Sequence, residues 1–231
     1  MDRGNVSETL AKRSSIELRD VCREWSTMAD KLLSLYKLRY SVDILVCRDM
    51  NSYVTIYLPK KVIEKLEEKG LDISEFVIRA LTEVAGLDPE ETASVRVELA
   101  EKSLEEAKEF IAKRDIIQAS EKLYKAVEEC IKALSEKFRL PQLDIASRRG
   151  RWDTWLLGQA ATDLSKILKE DRISYAWSKA YEIHVWGFHE AKYRIEDVES
   201  ATPIIEWLVN YIKDMLTRTS NTTNSSPESS P

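Results

Sequence analysis

Histidine, cysteine, glycine and proline are all scarce in this chain of 231 residues, which contains two His, three Cys, six Gly and six Pro. Two histidines and three scattered cysteines (Cys22, Cys47 and Cys130) are too few for a zinc finger or a disulfide scaffold. We therefore expect no metal site and no cofactor. The few glycines and prolines favour long helices over a β-sandwich rich in turns.

The chain also lacks an excess of positive charge and a long apolar run. Its 35 basic and 40 acidic residues give a net charge of −5, which argues against a surface that binds polyanions over its whole extent. No run approaches the roughly 18 apolar residues of a membrane helix, and the first residues have no apolar core typical of a signal peptide. We expect a cytoplasmic protein without membrane contact.

Helical periodicity is what the sequence does contain, and it dominates residues 88–216. Asp88-Pro89-Glu90-Glu91 is typical of a helix start with an acidic capping box. The next helix is predicted from Asp115 to about Phe138, and its apolar arc of half the circumference indicates packing against at least two others. Its opposite face carries Glu-to-Lys pairs at i,i+4 spacing, Glu121/Lys125 and Glu128/Lys132.

The predicted fold is mainly all-α, an antiparallel helical bundle preceded by a short strand-helix-helix module. A loop follows Leu140-Pro141, and later helices are predicted from Asp153, from Asp171 through Ile195, and from Thr202 to Leu216. The domain boundaries follow from these elements. We expect a partly helical extension at 1–49, the module at 50–87, the bundle at 88–216 and a disordered, Ser/Thr/Asn/Pro-rich tail at 217–231.

The stretch YVTIYLPKKVIEKLEEKGLDISEFVIRAL, from Tyr53 to Leu81, resembles a ribbon-helix-helix module, the fold of many antitoxins and repressors. The resemblance implies a homodimer in which the strands of two chains pair and their outward side chains enter the DNA major groove. The first amides of the second helix would hold a phosphate. The residues placed at DNA in this way are Tyr53, Thr55, Tyr57 and Ser74.

A hairpin within one chain is the alternative for this module. In that case Ser41–Cys47 folds back on Tyr53–Leu58 and no DNA is bound. The absence of any charge excess over residues 48–80 favours this alternative, because DNA binding depends on positive charge.

A second resemblance extends from about Leu58 to Leu216. The motifs QASEKLYKAVEECIKAL, GRW and HVWGFHEAK are similar to the archaeal PaREP one/eight family, whose helical domain is similar to HEPN domains. Together the two resemblances imply a non-enzymatic, antitoxin-like or regulatory protein that dimerises, with a HEPN-like bundle for a nucleotide or a partner. A toxin or a nucleotidyltransferase is the implied partner protein, the latter with this chain as its helical subunit.

A metal-independent ribonuclease is the enzymatic alternative. Active HEPN ribonucleases carry Arg, four to six residues and then His, where Arg stabilises phosphate charge and His acts as acid or base. Here Lys179 stands five residues before His184, and no Arg precedes His184 or His189 at that spacing. Lys supplies charge without the bidentate fork of Arg, so Lys179, His184 and His189 are catalytic candidates only.

The segment 177–190 has two interpretations. It is either a core helix, with its histidines about 140° apart, or an aromatic-walled pocket for a base or nucleotide. The pocket residues would be Trp177, Tyr181, His184, Trp186, His189 and Glu190.

The loop after residue 141 contains a compact basic cluster. Arg148, Arg149 and Arg151 either contact phosphates of DNA or RNA or pair with acidic helix faces such as Glu90/Glu91.

Overall fold

The computed structural model describes residues 47–48, 54–55 and 58–223. The chain divides into two compact units, Met1–Glu68 and Lys69–Pro231. Most of the predicted extension at 1–49, Tyr53, Tyr57, the side chain of Thr55 and the end of the predicted tail at 224–231 lie outside the described residues.

A short antiparallel pairing and one helix make up the described part of the first unit. Strand β1 (Cys47–Arg48) pairs with β2 (Val54–Thr55), with Cys47 opposite Thr55 and Arg48 opposite Val54. Over these residues the two strands pair within one chain, whereas most of the two strands in the hairpin alternative, Ser41–Cys47 and Tyr53–Leu58, lies outside the described residues. Helix α1 (Lys60–Glu68) begins directly after Pro59.

The second unit is built from helices with short connections. Its described elements are α2 (Ile73–Ala85), α3 (Pro89–Ala112), α4 (Ile116–Phe138), α5 (Pro141–Arg149), α6 (Thr154–Leu168), α7 (Arg172–Ile183), a π-helical segment π1 (His184–His189) and α8 (Ile195–Thr223). The predicted, mainly helical character of the chain is confirmed for this part. Among the described residues, no helix combines the length and apolar character that crossing a membrane requires.

Aspartate caps fix where three of these helices begin. The Asp88 carboxylate accepts from the amides of Glu90 and Glu91, and the Glu91 carboxylate accepts from the Asp88 amide, so the predicted capping box of α3 is confirmed. Asp115 caps α4 as predicted. Helix α2 is capped by Asp72, whose side chain accepts from the Glu75 amide.

Helix α4 is the central helix of the second unit. It packs against α3, α6, α7, π1 and α8, and its predicted apolar arc is buried. Ion pairs show that α3 runs antiparallel to it, since Glu90 at the start of α3 bonds Lys137 near the end of α4, while Glu106 bonds Lys122 near its start. Helix α3 is also antiparallel to α8, where Lys108 bonds Glu206 at 2.6 Å.

The predicted loop after Pro141 contains helix α5 instead. Proline is favoured at the first position of a helix, where its missing amide hydrogen has no intrahelical partner. Leu140-Pro141 therefore ends α4 and also begins α5. Gly150 ends α5 with φ 69°, and a Cβ there would lie 2.0 Å from Leu71 Cδ2.

The last helix is longer than predicted at both ends. Helix α8 begins at Ile195 and includes Pro203, whereas the sequence indicated a start at Thr202. Its buried stripe of Ile195, Val198, Ala201 and Ile205 continues past this proline, so packing outweighs the loss of one backbone hydrogen bond. The helix ends at Thr223, beyond the predicted end at residue 216.

Candidate ligand site at the histidine pair

The two histidines of the chain are brought together by a change of helix type. The predicted helix from Asp171 to Ile195 changes at His184 into π1, which ends at His189, and residues 190–194 are not helical. A π-helix bonds residue i to i+5, so residues five apart lie one above the other. His184 Nε2 and His189 Nε2 are 3.0 Å apart and share a hydrogen bond. The α-helical placement predicted for them, about 140° apart, is therefore wrong.

Close packing on α4 accompanies the π1 segment. Gly187 is buried, and a Cβ added there would lie 2.1 Å from Ser120 Oγ and 3.0 Å from Ser120 Cβ. Only a residue without a side chain lets the backbone of π1 approach α4 this closely. Gly187 thus permits a close crossing of π1 and α4.

A carboxylate of α4 faces the inner histidine. Glu121 Oε2 lies 3.0 Å from His184 Nδ1, and among the described residues neither atom forms a hydrogen bond. The side chain of His184 is 16% exposed, whereas His189 is exposed. These three residues form a continuous series from α4 to the surface, which we call the Glu121–His184–His189 row. Glu121 was predicted only as part of an i,i+4 pair and not as a site residue, because no local pattern links it to a residue as distant along the chain as His184.

Aromatic rings hold the inner histidine in place. His184 stacks on Tyr124 with centroids 4.0 Å apart, and on Phe188 at 5.3 Å. Trp177 lies 5.8 Å from Tyr124 and stacks on Tyr181 at 6.2 Å. Burial raises the pKa of the Tyr124 hydroxyl, and the nearby Glu128 charge raises it further, so this tyrosine is a neutral packing ring at physiological pH.

The predicted pocket residues divide into two contact groups. Ring contacts connect Trp177, Tyr181, His184 and His189 through Tyr124. Trp186 and Glu190 contact Lys192 instead, whose Nζ lies 5.5 Å from the Trp186 ring and 2.9 Å from the Glu190 carboxylate.

The remaining catalytic candidate, Lys179, is engaged elsewhere. Its Nζ forms an ion pair with Glu182 at 2.8 Å, and the same carboxylate accepts a hydrogen bond from the Tyr193 hydroxyl. That hydrogen bond, together with burial, raises the pKa of Tyr193 to about 12. His184 instead faces Glu121.

The predicted nucleic-acid residues lie apart from the histidines in sequence and in their contacts. Arg149 and Arg151 both form ion pairs with Asp153, at 2.5 and 2.9 Å, and the exposed Arg148 precedes them on α5. The suggested partners of these arginines have other contacts: Glu90 forms an ion pair with Lys137, and Glu91 accepts a hydrogen bond from the Asp88 amide in the cap of α3. Ser74 is exposed in the first turn of α2, beside the Glu75 amide that donates to Asp72.

A buried ionic cluster, which was not predicted, occupies the other half of α4. Arg96 of α3 and Lys132 of α4 are 2% and 3% exposed, and both bond Glu75 of α2. The full cluster also contains Glu128, Glu129 and Glu136. The Glu128/Lys132 pair, predicted on the polar face opposite the apolar arc, is therefore buried at 2.7 Å.

The charges of this cluster stabilise one another. Burial alone would raise the pKa of Glu75, but attraction to Lys132 and Arg96 outweighs it and lowers the pKa to about 2. Burial would lower the pKa of Lys132, yet its glutamate neighbours raise it. Both groups are therefore charged at neutral pH.

Comparison with known proteins defines the class of this helical protein. The sequence profile of the Archaeal PaREP1/PaREP8 family matches residues 95–209, from α3 to α8. The chain belongs to this family, which confirms the resemblance found in its motifs.

Two solved structures are similar to part of the chain. A crystal structure of a Sulfolobus solfataricus protein is 35% identical over 51% of this chain and 96% of that one, with a TM-score of 0.47. A solution structure of the Orf c02003 protein is 34% identical over 51% of this chain and 91% of that one, with a TM-score of 0.46. Among curated proteins none matches.

Proposed function

We propose that the bundle is a HEPN-like nucleotide-binding module of a non-enzymatic regulatory protein, with its site around the Glu121–His184–His189 row. The row carries the proposal, because it leads from α4 to an exposed imidazole beside a group of aromatic rings. An imidazole N–H suits a phosphate oxygen, and aromatic faces stack on bases without sequence preference. Tyr181, 44% exposed, is the accessible ring of the group.

The contacts of Lys179 support a protein without ribonuclease activity. A ribonuclease needs a cation that stabilises the phosphate charge that develops during cleavage. Lys179 stands where HEPN ribonucleases carry Arg, and its ammonium is already paired with Glu182. A side chain neutralised in this way is a poor substitute for a free guanidinium fork.

Calorimetric titration with mononucleotides, in EDTA, tests the proposal. We expect His189→Ala to weaken binding at least about tenfold, and Tyr181→Ala to cost about 1–3 kcal/mol of binding free energy through lost stacking. Trp186→Ala is the matched control, because Trp186 is 43% exposed and belongs to the other contact group. Failure of the wild-type protein to bind any mononucleotide would refute the proposal, as would a larger effect of Trp186→Ala than of Tyr181→Ala.

A ribonuclease is the second candidate, and the 3.0 Å approach of the two imidazoles favours it. Two neighbouring imidazoles can act as general acid and general base on a ribose 2′-hydroxyl. This candidate predicts RNA cleavage in EDTA that His184→Ala and His189→Ala each abolish. Intact RNA after incubation with pure wild-type protein would eliminate it.

For residues 50–87 we propose dimerisation and DNA binding, supported by the ribbon-helix-helix resemblance alone. Light scattering of the full chain should give a dimer that deletion of residues 51–58 converts to a monomer. DNA affinity should fall with salt, with a log–log slope of about −0.9 per phosphate contact. A monomeric full chain would instead favour the hairpin alternative, with which the pairing of β1 and β2 agrees.

A partner protein completes the regulatory proposal. Antitoxin-like proteins and helical subunits of nucleotidyltransferases act in complexes, as the family resemblance implies. Purification of the native protein should therefore recover a second polypeptide, a toxin or a nucleotidyltransferase. Recovery of this chain alone would count against a stable partner.

A further inference from the structure

We propose that His184 and His189 bind a late first-row divalent cation such as Ni²⁺ through their Nε2 atoms. This site goes beyond the proposed nucleotide module, and it departs from the expectation of no metal that the composition gave. The observation behind it is the convergence of the same ring nitrogen from both histidines in π1.

The distance between the two nitrogens fits one shared cation. Imidazole nitrogens bind divalent ions such as zinc at about 2.0–2.1 Å, so two ligands at a right angle lie about 3.0 Å apart, and two at a tetrahedral angle about 3.4 Å apart. The observed separation is 3.0 Å. It corresponds to neighbouring positions of a square-planar or octahedral ion, the geometry of Ni²⁺ and Cu²⁺ with nitrogen and oxygen ligands.

The surroundings of His184 prepare its Nε2 for this role. Histidine ligands usually donate their second ring N–H to a carboxylate, which fixes the tautomer and makes the ligand more basic. Glu121 Oε2 lies 3.0 Å from His184 Nδ1, and a carboxylate at this position favours the tautomer with the hydrogen on Nδ1 and the lone pair on Nε2. Stacking on Tyr124 and Phe188 fixes the plane of the ring.

The site is open to solvent on its other side. His189 is exposed, and in the part of the chain that the structure describes, no cluster of three or more His, Cys, Asp or Glu could hold a metal ion. Two protein ligands leave the other coordination positions to water or to an oxygen of a bound ligand. We therefore expect a labile ion that EDTA removes.

Calorimetric titration of the untagged full-length protein with Ni²⁺ tests this site. The expected result is one ion per chain, with at least tenfold weaker binding in His184→Ala and His189→Ala. Glu121→Gln should weaken binding about tenfold, as loss of such a carboxylate usually does. Glu98→Gln, on the exposed face of α3, is the matched control and should leave the affinity unchanged.

A spectroscopic readout identifies the ligands directly. The chain contains only two histidines, so Ni²⁺ should broaden the ring signals of both in the NMR spectrum, and Mg²⁺ should broaden neither. The proposal is overturned if the double variant His184→Ala/His189→Ala binds Ni²⁺ as tightly as wild type, or if no Ni²⁺ binds.

The design of these experiments separates Ni²⁺ binding from loss of the fold and from nucleotide binding. His189 is exposed, so His189→Ala retains the fold and decides the question even if His184→Ala unfolds. The nucleotide titrations use EDTA and the Ni²⁺ titrations use no nucleotide. Either proposal can therefore fail while the other stands.

Discussion

The polar side chains on the two halves of α4 differ in their surroundings, since one set is buried and the other is connected to the solvent. Its second half contributes Glu128, Glu129 and Lys132 to the ionic cluster, which is closed by Arg96 and Glu75 from the helices around it. Its first half contributes Glu121 to the row that ends at an exposed histidine. The charges of the ionic cluster are paired inside the protein, whereas the Glu121–His184–His189 row ends at a side chain that is exposed to solvent.

This difference separates a structural role from a binding role. Each cation of the ionic cluster contacts at least two carboxylates, so its charge is compensated within the protein. Removing one member of such a cluster leaves an uncompensated buried charge, which is strongly destabilising. In the row, His189 is free to exchange its contact with His184 for a contact with a ligand.

The largest expected effect is that of Arg96→Ala. The variant leaves Glu75 and Glu129 without their shared guanidinium in a buried site, and we expect a loss of about 3–5 kcal/mol in the free energy of unfolding. Urea unfolding followed by circular dichroism measures it.

Lys108→Ala is the control for this loss, because it breaks the exposed ion pair with Glu206. Such pairs contribute about 0–1 kcal/mol. Equal losses in Arg96→Ala and Lys108→Ala would show that burial of the cluster has no energetic consequence.

Acid should remove part of the cluster's contribution. The folded pKa of Glu75 is lowered to about 2, so its ionisation stabilises the fold fully above the ordinary pKa of 4.5, and this stabilisation is lost as the pH falls from 4.5 to 2. Glu75→Gln resembles the protonated residue. We expect it to destabilise the protein at pH 7 by on the order of 3 kcal/mol, with the difference from wild type shrinking towards pH 2.

Urea unfolding of wild type and Glu75→Gln between pH 7 and pH 2 provides the measurement. Glu98→Gln, at an exposed position, should show no such pH-dependent difference. A difference for Glu75→Gln that stayed constant down to pH 2 would mean that the pKa of Glu75 is the same in the folded and the unfolded protein, so that its ionisation does not stabilise the fold.

The packing of π1 on α4 gives an intermediate effect. Gly187→Ala places a Cβ 2.1 Å from Ser120 Oγ, and we expect this overpacking to cost about 1–3 kcal/mol. Ser120→Gly removes both clashing atoms, so in a double-mutant cycle the cost of Gly187→Ala should largely disappear in the Ser120→Gly background. Additive effects would show that the two positions do not touch.

Local patterns predicted the helices well and the polar sites poorly. The Asp88 capping box and the apolar arc of α4 are encoded by residues a few positions apart, and both are confirmed. The Glu128/Lys132 spacing looks the same on an exposed and a buried helix face. That face is buried only because α2, which carries Glu75, packs against it.

The histidine site depends on a departure from regular helix geometry. In an α-helix His184 and His189 would lie on different faces, and no pattern in the sequence predicts a π-helix here. Gly187 was the available signal, since a glycine inside a helical pattern often marks a close approach. Its contact with Ser120 comes from the tertiary fold, and so does the pairing of Glu121 with His184.

The smallest expected effect on stability is that of His189→Ala, and it tests the contrast most sharply. The side chain is exposed, and surface substitutions usually change the free energy of unfolding by less than about 0.5 kcal/mol. The same variant should lose nucleotide and Ni²⁺ binding, whereas Arg96→Ala should weaken the fold. A large loss of stability in His189→Ala would make the row structural like the ionic cluster, and the two halves of α4 would then differ in exposure alone.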